Sequence, residues 1–146
     1  MFLGEFEHAL DDKGRLAIPA KFRPPLADGL VVTRGLDKCL FVWAMKDWDV
    51  IAQRLTQLSM MNADVRRIHR LIFAGASDTA LDRLGRVLLP GFLRGYAELR
   101  DAAVVAGLGN RLEIWSPANW QAERSLAEQE SVEIAQHLFV LEQGNP

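Results

Sequence analysis

The sequence predicts an α+β fold, mainly β, built from two tandem modules that pair within one chain and carry flanking helices. Three observations predict it: an internal repeat, a two-residue apolar period around a glycine turn, and a switch to helical periodicity after each repeat. Ala9 to Arg23, ALDDKGRLAIPAKFR, returns 71 residues later as Ala80 to Arg94, ALDRLGRVLLPGFLR, with seven of fifteen positions identical. After one inserted residue the echo continues at an offset of 72 through Val32/Val104, Gly35/Gly107, Leu36/Leu108, Leu40/Leu112, Trp43/Trp115 and Trp48/Trp120. A module of about 45 residues standing alone would leave much of its apolar surface in water, so it needs a partner. Here the second copy is that partner.

Each copy opens with apolar alternation, then Asp-x-x-Gly-Arg, then alternation again, then proline. Phe6, His8 and Leu10 lie two apart, Gly14 can take a positive φ in a tight turn, and Leu16 and Ile18 resume the period. That pattern predicts a β-hairpin whose tip carries Lys13 and Arg15, ended by Pro19, which has no N–H for the ladder. Leu81, Gly85, Val87, Leu89 and Pro90 repeat it. Leu30 to Thr33 and Cys39 to Trp43 predict a second hairpin, with Val104 to Ala106 and Leu112 to Trp115 as its counterpart. Pro24-Pro25 and Asp28-Gly29 mark the loop between hairpins in the first copy. Trp48, Ile51, Leu55 and Leu58 then fall on one face of a helix. Asn62 can cap a second helix with Val65, Ile68, Leu71 and Ile72 as its stripe and Gly75 as its stop. Ser116-Pro117 reads as an N-cap followed by proline at the first helical position, and Val132, Ala135, Leu138 and Phe139 make a last amphipathic segment. The expected organisation is module 1 over 5–50, a helical linker over 51–76, module 2 over 77–120 and a helical tail over 121–146.

Composition sets limits on function. The chain has 146 residues, nearly half apolar and a quarter charged, the mix of a soluble globular protein. Only Gln143 to Pro146 are expected to be poorly ordered. No apolar run approaches the eighteen or so residues a membrane span needs, and MFLGEFEHALDD is too acidic and too briefly apolar for a signal peptide, so a cytoplasmic location is expected. One cysteine, Cys39, allows neither a disulfide framework nor a cysteine metal site; in CLFVW it reads as a small buried hydrophobe. His8, His69 and His137 lack metal-ligand spacing, so no metal and no cofactor are expected. A net charge of −2 argues against a surface that grips nucleic acid everywhere, yet Lys13 to Arg23 holds four cations and no acid while the tail is acidic.

Arg15 and Arg86 have two readings. A guanidinium at a hairpin tip can take phosphate, or guanine O6 and N7, in a bidentate grip, and two-stranded ribbons do enter the major groove. Alternatively each pairs with its own Asp11 or Asp82 and fixes hairpin shape. On the residues alone the ion pair is slightly favoured, and both can hold together. Asp11 and Asp82, repelled by phosphate, suit a positioning role with Gly14 and Gly85. The four recurring tryptophans read as core or subunit interface before stacking platforms.

The opening MFLGEFEHALDDKGRLAIPAKFR, the second motif DRLGRVLLP, the paired Asp-x-x-x-Arg motifs and the Trp43/Trp115 pair resemble the MraZ family of bacterial transcriptional regulators over nearly the whole chain. The resemblance implies two AbrB-like (SpoVT-AbrB) swapped-hairpin modules forming an intrachain pseudo-dimeric β-barrel. It also implies ring-like homo-oligomers, nucleoid-associated, that bind double-stranded DNA at promoter repeats of a division and cell-wall gene cluster including their own gene. It moves Arg15 toward DNA and leaves Arg86 even. Lys13, Lys21, Arg23, Arg83 and Arg94 become candidates for backbone contact. Leu84 stands opposite Lys13, and Phe92 opposite Lys21, which predicts that the first copy carries more of the contact than the second. Few cations per chain predict weak, salt-sensitive binding by a single protomer, raised by assembly.

Two rival classes stand beside this one. An antitoxin-like interaction module would share the fold and show no salt-sensitive DNA binding. A carboxylate-pair hydrolase would need Asp11 and Asp82 to share a proton, with Asp78-Thr79-Ala80 as a protease-like turn, but Ala80 replaces the glycine and the first copy lacks the threonine.

Overall fold

Each copy supplies four strands, and most of them find partners in the other copy. In a computed structural model that describes residues 1–143, the strands are β1 (Phe2–Ala9), β2 (Arg15–Ala17), β3 (Leu30–Arg34) and β4 (Leu40–Ala44) from the first copy. The second contributes β5 (Ser77–Thr79), β6 (Arg86–Leu88), β7 (Ala102–Gly109) and β8 (Leu112–Trp115). Six strands form one antiparallel sheet in the order β1-β7-β8-β4-β3-β5, while β2 and β6 form a separate two-stranded ribbon. The hairpins β3·β4 and β7·β8 stay within their copies, as the alternation predicts. β1 crosses to β7, β5 to β3, and β4 meets β8.

The expected first hairpin is therefore corrected. β1 and β2 share only the Leu10–Leu16 bridge, after which β2 leaves for β6. Ile18 N–H donates to the Gly85 carbonyl at 2.9 Å and Leu89 N–H to the Gly14 carbonyl at 2.8 Å, so each copy's chain after its turn runs beside the other copy's turn. Burial is the reason. A lone hairpin is marginal in water, whereas the crossing puts Leu16, Ile18, Val87 and Leu89 at zero exposure in one core built from both copies. The hydrogen-bonded order ends at β1 and β5, so the class is mixed α and β, mainly sheet.

The helices are α1 (Met45–Thr56), α2 (Ala63–Phe73), α3 (Gly91–Tyr96), α4 (Pro117–Gln129) and α5 (Ser131–Gln143). Both predicted caps form: Asn62 Oδ1 accepts from Asp64 N–H at 2.8 Å and Ser116 Oγ from Asn119 N–H at 3.1 Å. α1 ends before Leu58, which is exposed. The expected loose end falls on 144–146, outside the described residues, except Gln143, which closes α5. Trp43 and Trp115 are buried; Trp48 stacks edge-on with Phe73 at 5.8 Å, and Trp120 lies 5.8 Å from Trp115. His69 is packed, its Nε2 bonded to the Leu55 carbonyl across α1 and α2 at 2.6 Å. Cys39 is fully buried, and burial above all pushes its thiol pKa up to about 12. No helix among the described residues is long and apolar enough to cross a membrane.

Candidate nucleic-acid interface

The two Asp-x-x-Gly-Arg segments fold into the same turn. Asp11 Oδ1 accepts from the N–H groups of Lys13 (3.0 Å) and Arg15 (2.8 Å), and its Oδ2 from Arg15 Nε at 2.7 Å. Asp82 repeats this with Leu84 N–H and Arg86 N–H, both 2.9 Å, and Arg86 Nε at 2.8 Å. Gly14 and Gly85 close the turns at φ values of 85° and 74°, where a side chain would be strained. The Arg15 backbone N–H, more than any other group, holds the Asp11 carboxyl below the usual range. The Arg15 side chain and Lys13 N–H add to this and partial burial opposes it. Asp82 is lowered in the same way, first by the Arg86 N–H. Both acids thus make, within their own turns, the hydrogen bonds that a positioning role would use.

The ion pairs leave the far edge of each guanidinium available. Each Arg spends its Nε on its Asp, and no acceptor among the described residues takes a hydrogen bond from Nη1 or Nη2 of Arg15 or Arg86. Their side chains are 34% and 29% exposed. In the ribbon Arg15 pairs with Leu88 and Ala17 with Arg86, so all four side chains share the outer face while Leu16 and Val87 point inward. The two arginines are diagonal neighbours there, about 7–8 Å apart at Cα. That is close to two steps along one DNA strand, at about 3.4 Å each. Neither is sealed inside, and they do not face opposite ways.

The remaining candidates scatter. Lys13 and Arg83 are exposed on their turns, and Arg83 makes no ion pair among the described residues. Lys21 does not join the tip: its Nζ lies over the rings of Phe6 and Phe22, at 5.5 and 5.6 Å, drawn onto β1. Arg23 and Arg94 exchange places. Arg23 donates from Nε to the Ile18 carbonyl at 2.8 Å and covers Gly85 of the other copy. Arg94 donates to the Leu89 carbonyl at 3.0 Å and covers Gly14, where an added Cβ would come within 2.7 Å of its Nε. Each tip is therefore composite, Arg94 beside Lys13 and Arg15, Arg23 beside Arg83 and Arg86. Sequence offers no signal for this exchange, because it follows from the strand crossing. The exchange is Arg for Arg and leaves the balance unchanged; the surplus expected for the first copy, from Lys13 and Lys21 against Leu84 and Phe92, is reduced because Lys21 lies over Phe6 and Phe22 instead.

The hydrolase reading meets contrary geometry. The two turns sit at opposite ends of the ribbon, and each carboxylate is held ionised by its own arginine, the reverse of a proton-sharing pair. Among the described residues no three His, Cys, Asp or Glu side chains gather as a metal site.

A pseudo-twofold sheet with two matched Asp–Arg turns on one outward ribbon defines a duplicated scaffold, and comparison with known proteins finds the same duplication. The family described as "MraZ protein, putative antitoxin-like" matches residues 1–71 and again 72–141. A protein named transcriptional regulator MraZ from Roseiflexus castenholzii is 48% identical over 141 residues, covering 97% of this chain and 99% of that protein. Those of Thermomicrobium roseum, 48% identical over the same shares, and Moorella thermoacetica, 50% identical over 83% of this chain and 85% of its own, carry the same name. The chain belongs to the MraZ family, and these relatives are named as transcriptional regulators.

Proposed function

We propose that the chain is a sequence-specific DNA-binding transcriptional regulator that presents the β2·β6 ribbon to the major groove of its own promoter repeats. The observation that carries it is the outer face of that ribbon, with Arg15 and Arg86 oriented by Asp11 and Asp82 and their Nη groups turned to solvent. Such a guanidinium can bind phosphate or guanine, and Lys13, Arg83, Arg23 and Arg94 stand close enough to the turns to add backbone contact. The exchange of β1 and β5 between copies fits AbrB-like swapped-hairpin modules closing as a pseudo-dimer. The relatives' name supports a regulatory role, and a place in the cytoplasm, at the nucleoid, goes with the DNA-binding reading.

We further propose a ring-like homo-oligomer. Every residue of α5 is exposed, including Val132, Ala135, Leu138 and Phe139 of the expected stripe and the flanking Val140 and Leu141, an apolar surface that a second copy would cover. Repetition of the ribbon around a ring would supply the avidity that a chain of net charge −2 lacks. Binding to the upstream region of the chain's own gene, followed by gel shift across a salt series, tests the reading. Affinity is expected to fall steeply as salt rises. Salt-insensitive or absent binding would favour an antitoxin-like interaction module.

A further inference from the structure

The outer ribbon face breaks the internal symmetry at one place. The 71-residue offset equates Arg15 with Arg86 and Ala17 with Leu88, so a methyl group in the first copy becomes an isobutyl group in the second. Leu88 is 54% exposed at the end of β6 that lies against the first turn, and Leu84, opposite Lys13 on the second turn at the ribbon's other end, is 66% exposed. Leu88 faces Arg15 directly in the register and sits two residues from Arg86 on its own strand. An apolar docking site for protein needs a contiguous patch of several hundred Å². A leucine hemmed by two arginines does not make one. The edge of a base pair in the major groove does offer this combination, with guanine acceptors for a guanidinium and the thymine 5-methyl group for an apolar side chain.

We propose that Leu88 is a specificity-determining residue, packing on a thymine methyl group next to the contact made by Arg15, at the tip where the second copy's strand lies against the first copy's turn. This rests on the DNA-binding reading above and deepens it. The opposite tip, where Ala17 faces Arg86, then has the weaker thymine preference and holds chiefly phosphate and guanine.

The test uses the full chain and its own upstream duplex, synthesised with thymine or with deoxyuridine, which lacks only the 5-methyl group. The wild-type chain is expected to bind the thymine duplex roughly fourfold more tightly for each methyl contacted. Leu88→Ala should lose about that factor on the thymine duplex and treat the two duplexes alike. It places at 88 the residue already present at the equivalent Ala17, so folding is preserved. Leu88→Met, similar in volume, should keep the preference. An unchanged thymine preference in Leu88→Ala overturns the inference and leaves DNA binding standing, and so does a change in assembly mass without a change in preference. Failure of the wild type to bind either duplex overturns the DNA-binding reading itself.

Discussion

The two copies share a scaffold and differ in what they show. Their turns superimpose in hydrogen bonding, atom for atom, down to an Asp that accepts from two backbone N–H groups and one Nε. Their surfaces have diverged. The first turn places Asp12 beside Lys13 and Arg15; the second places Arg83 beside Leu84 and Arg86, so the turn that looks poorer in cations also lacks the extra acid. The trailing helices differ more. α2 packs its stripe against the sheet, with Ile72 buried and Thr33 Oγ1 donating to the Ile72 carbonyl at 2.5 Å, whereas its counterpart α5 leaves the whole stripe in solvent. Duplication conserves what folds the module and releases what faces outward, because a buried methylene is felt in a close-packed core and an exposed one is not.

The largest test of that contrast is to end the chain after Glu130. Without α5 the protomer should keep its fold, since α5 buries nothing, but lose assembly, and affinity for repeated sites should fall roughly a hundredfold or more. Light scattering and titration of an upstream duplex read both effects; unchanged mass would return α5 to the status of a solvated tail. Next come the arginines. Arg15→Ala and Arg86→Ala should each cost about tenfold in DNA affinity or more. Because Lys21 lies away from the tip, Lys13, Arg15 and Arg94 at one tip are matched by Arg83, Arg86 and Arg23 at the other, and the two losses should lie within about threefold of each other. A loss confined to Arg15→Ala would restore the ranking expected from the charge run Lys13 to Arg23.

That revised expectation marks where sequence stops informing. The repeat, the inner hairpins and both helix caps are legible because each is decided within a few residues: a glycine that must take positive φ, a hydroxyl or amide that caps, an alternation that needs one face buried. Strand partners are not local. The period of β2 is satisfied equally by β1 or by β6, and only the shared core, with Leu16 and Val87 face to face, chooses. Arg23 and Arg94 followed their strands across. Leu88 could have been noticed, since the offset that reveals the repeat also shows an outward apolar residue where Ala17 stands.

The crossed arginines can be tested through stability. Gly85→Ala should destabilise by about 2 kcal/mol, partly from its φ of 74° and partly from collision with Arg23, whereas Gly14→Ala meets Arg94 and also the fixed Leu89 carbonyl at 2.8 Å. Arg23→Ala should relieve part of the Gly85→Ala loss and none of the Gly14→Ala loss, read by denaturant midpoints at constant m. Rescue of both, or of neither, would deny the exchange.

The smallest expected effect is of pH, and here the copies should agree. Both turn acids have folded pKa values below their unfolded ones, through N–H donation by Arg15 and Arg86 first. A depressed carboxyl contributes stability that is complete above its unfolded pKa and disappears as pH falls through the folded one. The Asp–Arg turns should therefore be constant from pH 5 to 8 and loosen only below about pH 4. Amide exchange at Lys13, Arg15, Leu84 and Arg86 would show it, with a single onset for both turns. Two separate onsets would mean that divergence has reached the hydrogen-bonded frame as well as the face it presents.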